Sequence, residues 1–187
     1  MRKHDVNRFK REIEEALKIA PRFAEAYVLM ADEEVSAHRY DVALQDALQA
    51  QQIEPDAAWV SLLIATAYNS LERYDQASLI LSNMRAQDTA AWQAKYERAR
   101  AEVGRKNVES ALHWSELALK EAPSSFTETH LLRANALQIA QRWKEASDQM
   151  ESYLAAPTPH DRAQVEAALV FTRRRAEEQE RGLLAGR

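Results

Sequence analysis

Tyr40-Asp41-Val42-Ala43 returns 34 residues later as Tyr74-Asp75-Gln76-Ala77. It returns again, weakened, as Val108-Glu109-Ser110-Ala111 and then as Trp143-Lys144-Glu145-Ala146, giving spacings of 34, 34 and 35 residues. A second ladder of small residues, Ala31, Ala65, Ala99 and Ala134, repeats the same three spacings. A third marker, Pro21, Pro55 and Pro123, keeps one frame, with Thr89 in the vacant slot. Three ladders of different residue types in one register mark an internal repeat. A composition rich in helix formers gives local 3.6-residue periodicity but no 34-residue register.

Each unit has room for two helices of about 14 residues and two short turns. A small residue on the first helix (A) and another on the second (B) let the two backbones approach. The aromatic that starts helix B covers that contact, and proline closes the unit because it cannot continue the preceding helix. The composition agrees. Hydrophobic residues make up 46% and charged residues 29% of 187 residues, a folded composition. Only three glycines occur, Gly104, Gly182 and Gly186, too few for a sheet-rich chain of tight turns or a phosphate-cradling loop. The fold class that follows is all-α.

At this point the residues resemble the tetratricopeptide repeat (TPR) family. The first full repeat matches through Tyr27, Met30, Ala31, Ala43, Ala50 and Pro55, with Glu34 where an aromatic is usual. The second matches through Ile64, Ala65, Tyr68, Ala77 and Leu81, with Ser61 and Thr89 departing. The third keeps Ala99, Ala111, Ala118 and Pro123, but Lys95, Arg98 and Glu102 replace apolar positions. The fourth keeps Ala134, Leu137, Trp143, Ala146 and Met150, with one extra residue in the turn near 124–129. The resemblance covers residues 24–157. It implies a right-handed superhelical solenoid of antiparallel helix hairpins: about four TPR repeats, an N-terminal half repeat and a C-terminal capping helix.

The sequence pattern places a first helix at 4–19, with Phe9, Ile13, Ala16, Leu17 and Ile19 on one apolar stripe. Hairpins follow at 24–37 with 40–53, 57–71 with 74–86, 90–103 with 107–121, and 126–140 with 143–156. A last helix is expected at 160–181, with Asp161 near its start and Gly182 as its stop. In repeat terms 1–22 is a half repeat, 24–57, 58–91, 92–125 and 126–158 are repeats, and 160–182 is a cap. Residues 1–187 are expected to form a single domain. The cap's packing face is Val165, Ala168, Leu169 and Thr172. Its other face carries Arg173, Arg174, Arg175, Glu177, Glu178, Glu180 and Arg181, read as a polar outer surface with i,i+4 pairs Arg173–Glu177 and Arg174–Glu178. The first helix is a helix B without its helix A. Either the chain is cut from a longer array, or this helix caps the stack or pairs with a second copy.

Chemistry is harder to find. There is no cysteine, so disulfides, thiolate metal sites and cysteine nucleophiles are excluded. His4, His38, His113, His130 and His160 stand singly, and H-E-x-x-H is absent. His130 falls at a usual aromatic packing position. The acidic clusters Glu12–Glu14–Glu15 and Asp32–Glu33–Glu34 lack a calcium-loop glycine and read as solvated helix faces. No phosphate-binding loop or nucleophile-elbow motif occurs. A net charge of −4 gives no basic surface for nucleic acid. No run of about 18 apolar residues suggests a membrane span. The expectation is a non-enzyme with no cofactor and no metal, soluble and cytoplasmic by default, or periplasmic if excised from an envelope protein.

The resemblance implies a concave face lined by A helices, which proteins of this class use to bind extended peptides or partner helices. The residues expected there are Val28, Asp32 and Val35; Trp59, Leu62, Thr66 and Asn69; Gln93, Tyr96, Arg100 and Val103; and Glu128, Leu131, Asn135 and Gln138. Trp59, Leu62 and Tyr96 would floor the groove, and Arg100, Asn69 and Asn135 would hydrogen-bond a peptide backbone or carboxylate. One subclass grips the C-terminal carboxylate of a chaperone with lysines and asparagines. Here Val28, Asp32, Leu63, Gln93 and Glu97 occupy those positions, which argues against such a clamp. The expected function is a protein-interaction scaffold binding a protein or peptide. The alternative is a repeat segment of a larger protein that recruits partners for another domain.

Overall fold

The computed structural model describes residues 3–85, 87–88, 91–157, 159 and 161–185. Ten helices make up the described residues: α1 Lys3–Ile19, α2 Ala24–Ser36, α3 Tyr40–Ile53, α4 Ala58–Ser70, α5 Tyr74–Asn83, α6 Trp92–Gly104, α7 Val108–Glu121, α8 Glu128–Ile139, α9 Trp143–Leu154 and α10 Arg162–Ala185. Thr89, His160 and Gly186 lie outside the described residues, as do the side chains of His4, Phe9 and Glu14.

The helices fall into two compact units, Met1–Thr89 with α1–α5 and Ala90–Arg187 with α6–α10. In the first unit α2 pairs with α3 and α4 with α5, while α3 and α2 both touch α4. In the second, α6 pairs with α7 and α8 with α9, and α10 packs on α9. Each hairpin closes through the alanine ladders. Ala31, Ala65, Ala99 and Ala134 on the A helices, and Ala43, Ala77, Ala111 and Ala146 on the B helices, are all 0% exposed. A methyl group at each crossing is what allows two helix backbones to touch, and larger neighbours fill the space around it. In the first unit those neighbours are Leu44, Val60 and Ile64, with Tyr27, Leu48 and Tyr68 half-buried around them. In the second they are Met150, Tyr153, Val165 and Leu169.

A fourth ladder was invisible in the sequence. His38, Glu72, Lys106 and Gln141 all have φ between 57° and 59°, and their spacings are again 34, 34 and 35. Each ends a helix A in the left-handed conformation. The amide of the next residue reaches back five positions, as in Arg39 to the Glu34 carbonyl (2.8 Å), Arg73 to Tyr68 (2.8 Å), Asn107 to Glu102 (3.0 Å) and Arg142 to Leu137 (2.9 Å). This is a Schellman-type ending, which glycine usually supplies. Here ordinary side chains adopt it, so no glycine flagged the turn.

Three expectations need correction. Gly182 does not stop α10, which runs on to Ala185; a glycine with helical φ only weakens a helix, and nothing here gives it the positive φ of a terminator. The helix expected at 74–86 ends at Asn83, because Met84 takes an extended backbone (φ −67°, ψ 143°). The charges on α10 pair differently as well. Arg174 does meet Glu178 (3.1 Å), but Arg173 reaches across to Glu151 on α9 (2.9 Å). The free face of α10 is not wholly polar either, since Val170 and Phe171 are exposed. Phe171 meets the Trp143 ring edge-on at 6.2 Å, and the Arg175 guanidinium lies 5.3 Å from the centre of that ring.

Candidate functional site

In the first unit the A helices α2 and α4 lie side by side. On α2, Val28, Leu29, Asp32 and Val35 follow the three-to-four residue spacing that puts side chains on one helical face. On α4, Trp59, Leu62, Leu63 and Thr66 do the same. Together these eight residues line a cleft of about 300 Å³. Its apolar side chains are not all hidden: Leu29 is 47% and Trp59 41% exposed. The Thr66 hydroxyl donates to the Leu62 carbonyl of its own helix (3.0 Å), so it brings no unmet polar demand to the cleft. Asp32 is the cleft's one charged residue.

Trp59 also borders a second, more open cleft of about 560 Å³ at the turn between α3 and α4. Glu54, Pro55, Asp56, Ala57, Ala58 and Arg85 complete it. Arg85 donates from Nε to Asp88 at 2.7 Å, and this contact, with Asp56 nearby, strengthens its hold on its proton.

Of the expected groove residues in this unit, Val28, Asp32, Val35, Trp59, Leu62 and Thr66 come together at the first cleft. Asn69 does not. It is 3% exposed, because it stands four residues beyond the fully buried Ala65 and therefore falls on the buried arc of α4. Leu29 and Leu63 were missed as lining residues. Leu29 had a signal, an apolar residue three positions before Asp32 on the same face.

The second unit uses its A helices differently. Tyr96, expected on the groove floor, stacks edge-on against Phe126 (5.1 Å), which also meets Trp92 at 4.7 Å. This packing takes the Tyr96 ring largely out of water. Burial pushes its phenol up to about 12, with Arg100 opposing the shift and Glu97 and Glu128 adding to it. Arg100 is engaged as well, since its Nη1 donates to both carboxylate oxygens of the buried Glu97 at 3.0 Å. Leu131 packs against the core formed by Ala134, Met150 and Tyr153. Gln138 donates to the Thr172 hydroxyl on α10 at 2.8 Å. Asn135 remains exposed. Tyr96 and Arg100 therefore spend their packing and charge inside the fold. His130 pairs with Gln149 through Nδ1 at 2.9 Å.

Among the described residues no group of three or more His, Asp or Glu side chains is arranged to hold a metal ion. No described helix is long and apolar enough to cross a membrane. No family model matches the chain. No curated protein matches it in sequence. A solved structure does. The chain is similar to the crystal structure of YrrB, described as a TPR protein with an unusual peptide-binding site, at 18% identity and a TM-score of 0.58 over 75% of this chain and 72% of that one. The likeness shows the fold: an all-α, TPR-like solenoid of paired helices.

Proposed function

We propose that this protein is a non-catalytic protein-interaction scaffold, and that it holds a peptide or partner segment in the α2/α4 cleft. The observation that carries the reading is the solvent-open apolar cleft around Trp59. A tryptophan with two-fifths of its surface in water, backed by Leu62 and Leu63, offers a large apolar area that the fold itself does not cover. Aromatic residues in such positions are common anchors of binding energy. The volume sits at the small end of ligand clefts, which run from about 300 to 1,000 Å³. It suits a pair of inserted side chains. YrrB, which shares the fold, is described as having a peptide-binding site, and this agrees with the proposed use of the cleft.

The test compares wild type, Trp59→Ala and Leu79→Ser as baits for partner capture. Leu79 is 61% exposed on α5 and lines none of the clefts described above, so it controls for general surface stickiness. With folding verified by circular dichroism, Trp59→Ala is expected to weaken capture by tenfold or more, as loss of an anchor worth above about 1.4 kcal/mol does. Leu79→Ser should leave capture intact. Equal capture by Trp59→Ala and wild type would place the partner elsewhere on the molecule.

A further inference from the structure

We infer that the α2/α4 cleft selects an apolar segment flanked by lysine or arginine, and rejects the same segment with acidic flanks. The inference rests on the cleft reading above and adds the chemistry of the occupant.

Helix α2 carries Glu25, Asp32, Glu33 and Glu34 and no lysine or arginine. Helix α4 carries no charged residue. The A helices of the second unit differ, since α6 holds Lys95, Arg98 and Arg100 and α8 holds Arg133. The acidic groups of α2 are not equivalent. Glu34 is buried and paired with Arg39, so its charge is spent within the fold. Asp32 is exposed in the cleft, and its side chain makes no hydrogen bond or ion pair among the described residues. The second cleft, which Trp59 also lines, adds Glu54 and Asp56. Its one cation, Arg85, is held by Asp88.

Trp59 therefore lines both the cleft that holds Asp32 and the cleft that holds Glu54 and Asp56. An apolar side chain entering beside Leu62 and Leu63 would carry its chain neighbours toward these carboxylates. A lysine or arginine there gains the carboxylate attraction, and over the indole face a cation–π contact as well. A glutamate or aspartate there meets like charge, and the one cation among the described residues lining the two clefts, Arg85, is already held by Asp88. The same field disfavours a phosphate backbone. The cleft is therefore the reverse of a carboxylate-gripping one.

The test uses the full chain and three fluorescein-labelled peptides of about 12 residues, long enough for three helical turns. The first has two leucines flanked by lysines. The second replaces the lysines with glutamates, and the third replaces the leucines with serines. By fluorescence anisotropy the leucine–lysine peptide should bind. The leucine–glutamate peptide should bind about eightfold more weakly, the product of three rim ion pairs each worth a factor of about two. The serine–lysine peptide should not bind.

Trp59→Ala should weaken the leucine–lysine peptide at least tenfold, as loss of an aromatic anchor does. Asp32→Lys should weaken that peptide and strengthen the glutamate one. Added salt should narrow the difference between the two, because the flanking charges are exposed. If the glutamate peptide binds as tightly as the lysine one, and both lose binding with Trp59→Ala, the charge rule is wrong and the cleft reading stands. If all binding is indifferent to Trp59→Ala, both fall. If no peptide binds, the inference falls and the capture experiment alone decides the cleft. A dimer of this chain that dissociates on Trp59→Ala would make the occupant a second copy and overturn the inference.

Discussion

Replacing Tyr96 by phenylalanine separates packing from groove lining. The ring sits against Phe126 and, by the structure, keeps its proton up to about pH 12, whereas a tyrosine in the unfolded chain titrates near its ordinary 10. The sign follows from proton counting. Between those two values the unfolded state has lost the proton and the folded state has not, so rising pH favours unfolding. The stability contribution is complete below pH 10 and is lost as pH climbs through 12. At about pH 11 the unfolded phenol is ionised about ten to one and the folded one about one to ten, which amounts to about 1.4 kcal/mol.

Phenylalanine keeps the ring and removes the titration. Urea unfolding followed by circular dichroism, at about pH 8 and again at about pH 11, gives the stability gap between Tyr96→Phe and wild type at each pH. The gap is expected to move by about 1.4 kcal/mol in favour of the variant at the higher pH. Other tyrosines and lysines titrate in both proteins and cancel. An unchanged gap would mean that the phenol stands in water in the folded protein. Tyr96 would then return to the open groove face, and the division of labour between the two units drawn above would be wrong.

Four further substitutions test the fold. Gly182→Ala lies within α10 with open space around the added methyl group, and should raise stability by about 0.5–1 kcal/mol in urea unfolding. A loss would restore Gly182 as a helix terminator. Ala134→Leu forces a larger side chain into a fully buried crossing and should cost about 1–3 kcal/mol, read as a lower urea midpoint. Glu72→Gly and Gln141→Gly relieve left-handed backbones. The steric relief of about 1–2 kcal/mol exceeds the entropy cost of about 0.4–1 kcal/mol, so each should stabilise modestly by the same measurement.

Much of the fold was legible because the repeat reports itself several times. The eight alanines of the two ladders all lie with no exposed surface, and the helix starts at Tyr40, Tyr74 and Trp143 fall where the aromatic markers stand. The helix ends read less well. Gly182 reads as a stop because glycine commonly is one, while the actual endings at His38, Glu72, Lys106 and Gln141 carry no special residue type. There the backbone conformation is enforced by the hairpin closing around it, and the local sequence does not signal it.

The site divides the same way. By itself the sequence determined which residues share a helix face: Val28 with Asp32 and Val35, and Trp59 with Leu62 and Thr66. That is a matter of 3.6 residues per turn, which sequence spacing records. Only the tertiary structure decided which face meets water and which meets a neighbour. It buried Asn69, turned Tyr96 onto Phe126, tied Arg100 to Glu97 and left Trp59 and Leu29 open. Those outcomes depend on what the adjoining helix and turn bring to the contact, such as the Phe126 ring, which lies 30 residues beyond Tyr96 in the chain. A helix carries its own periodicity, but the surface that covers it belongs to another part of the chain.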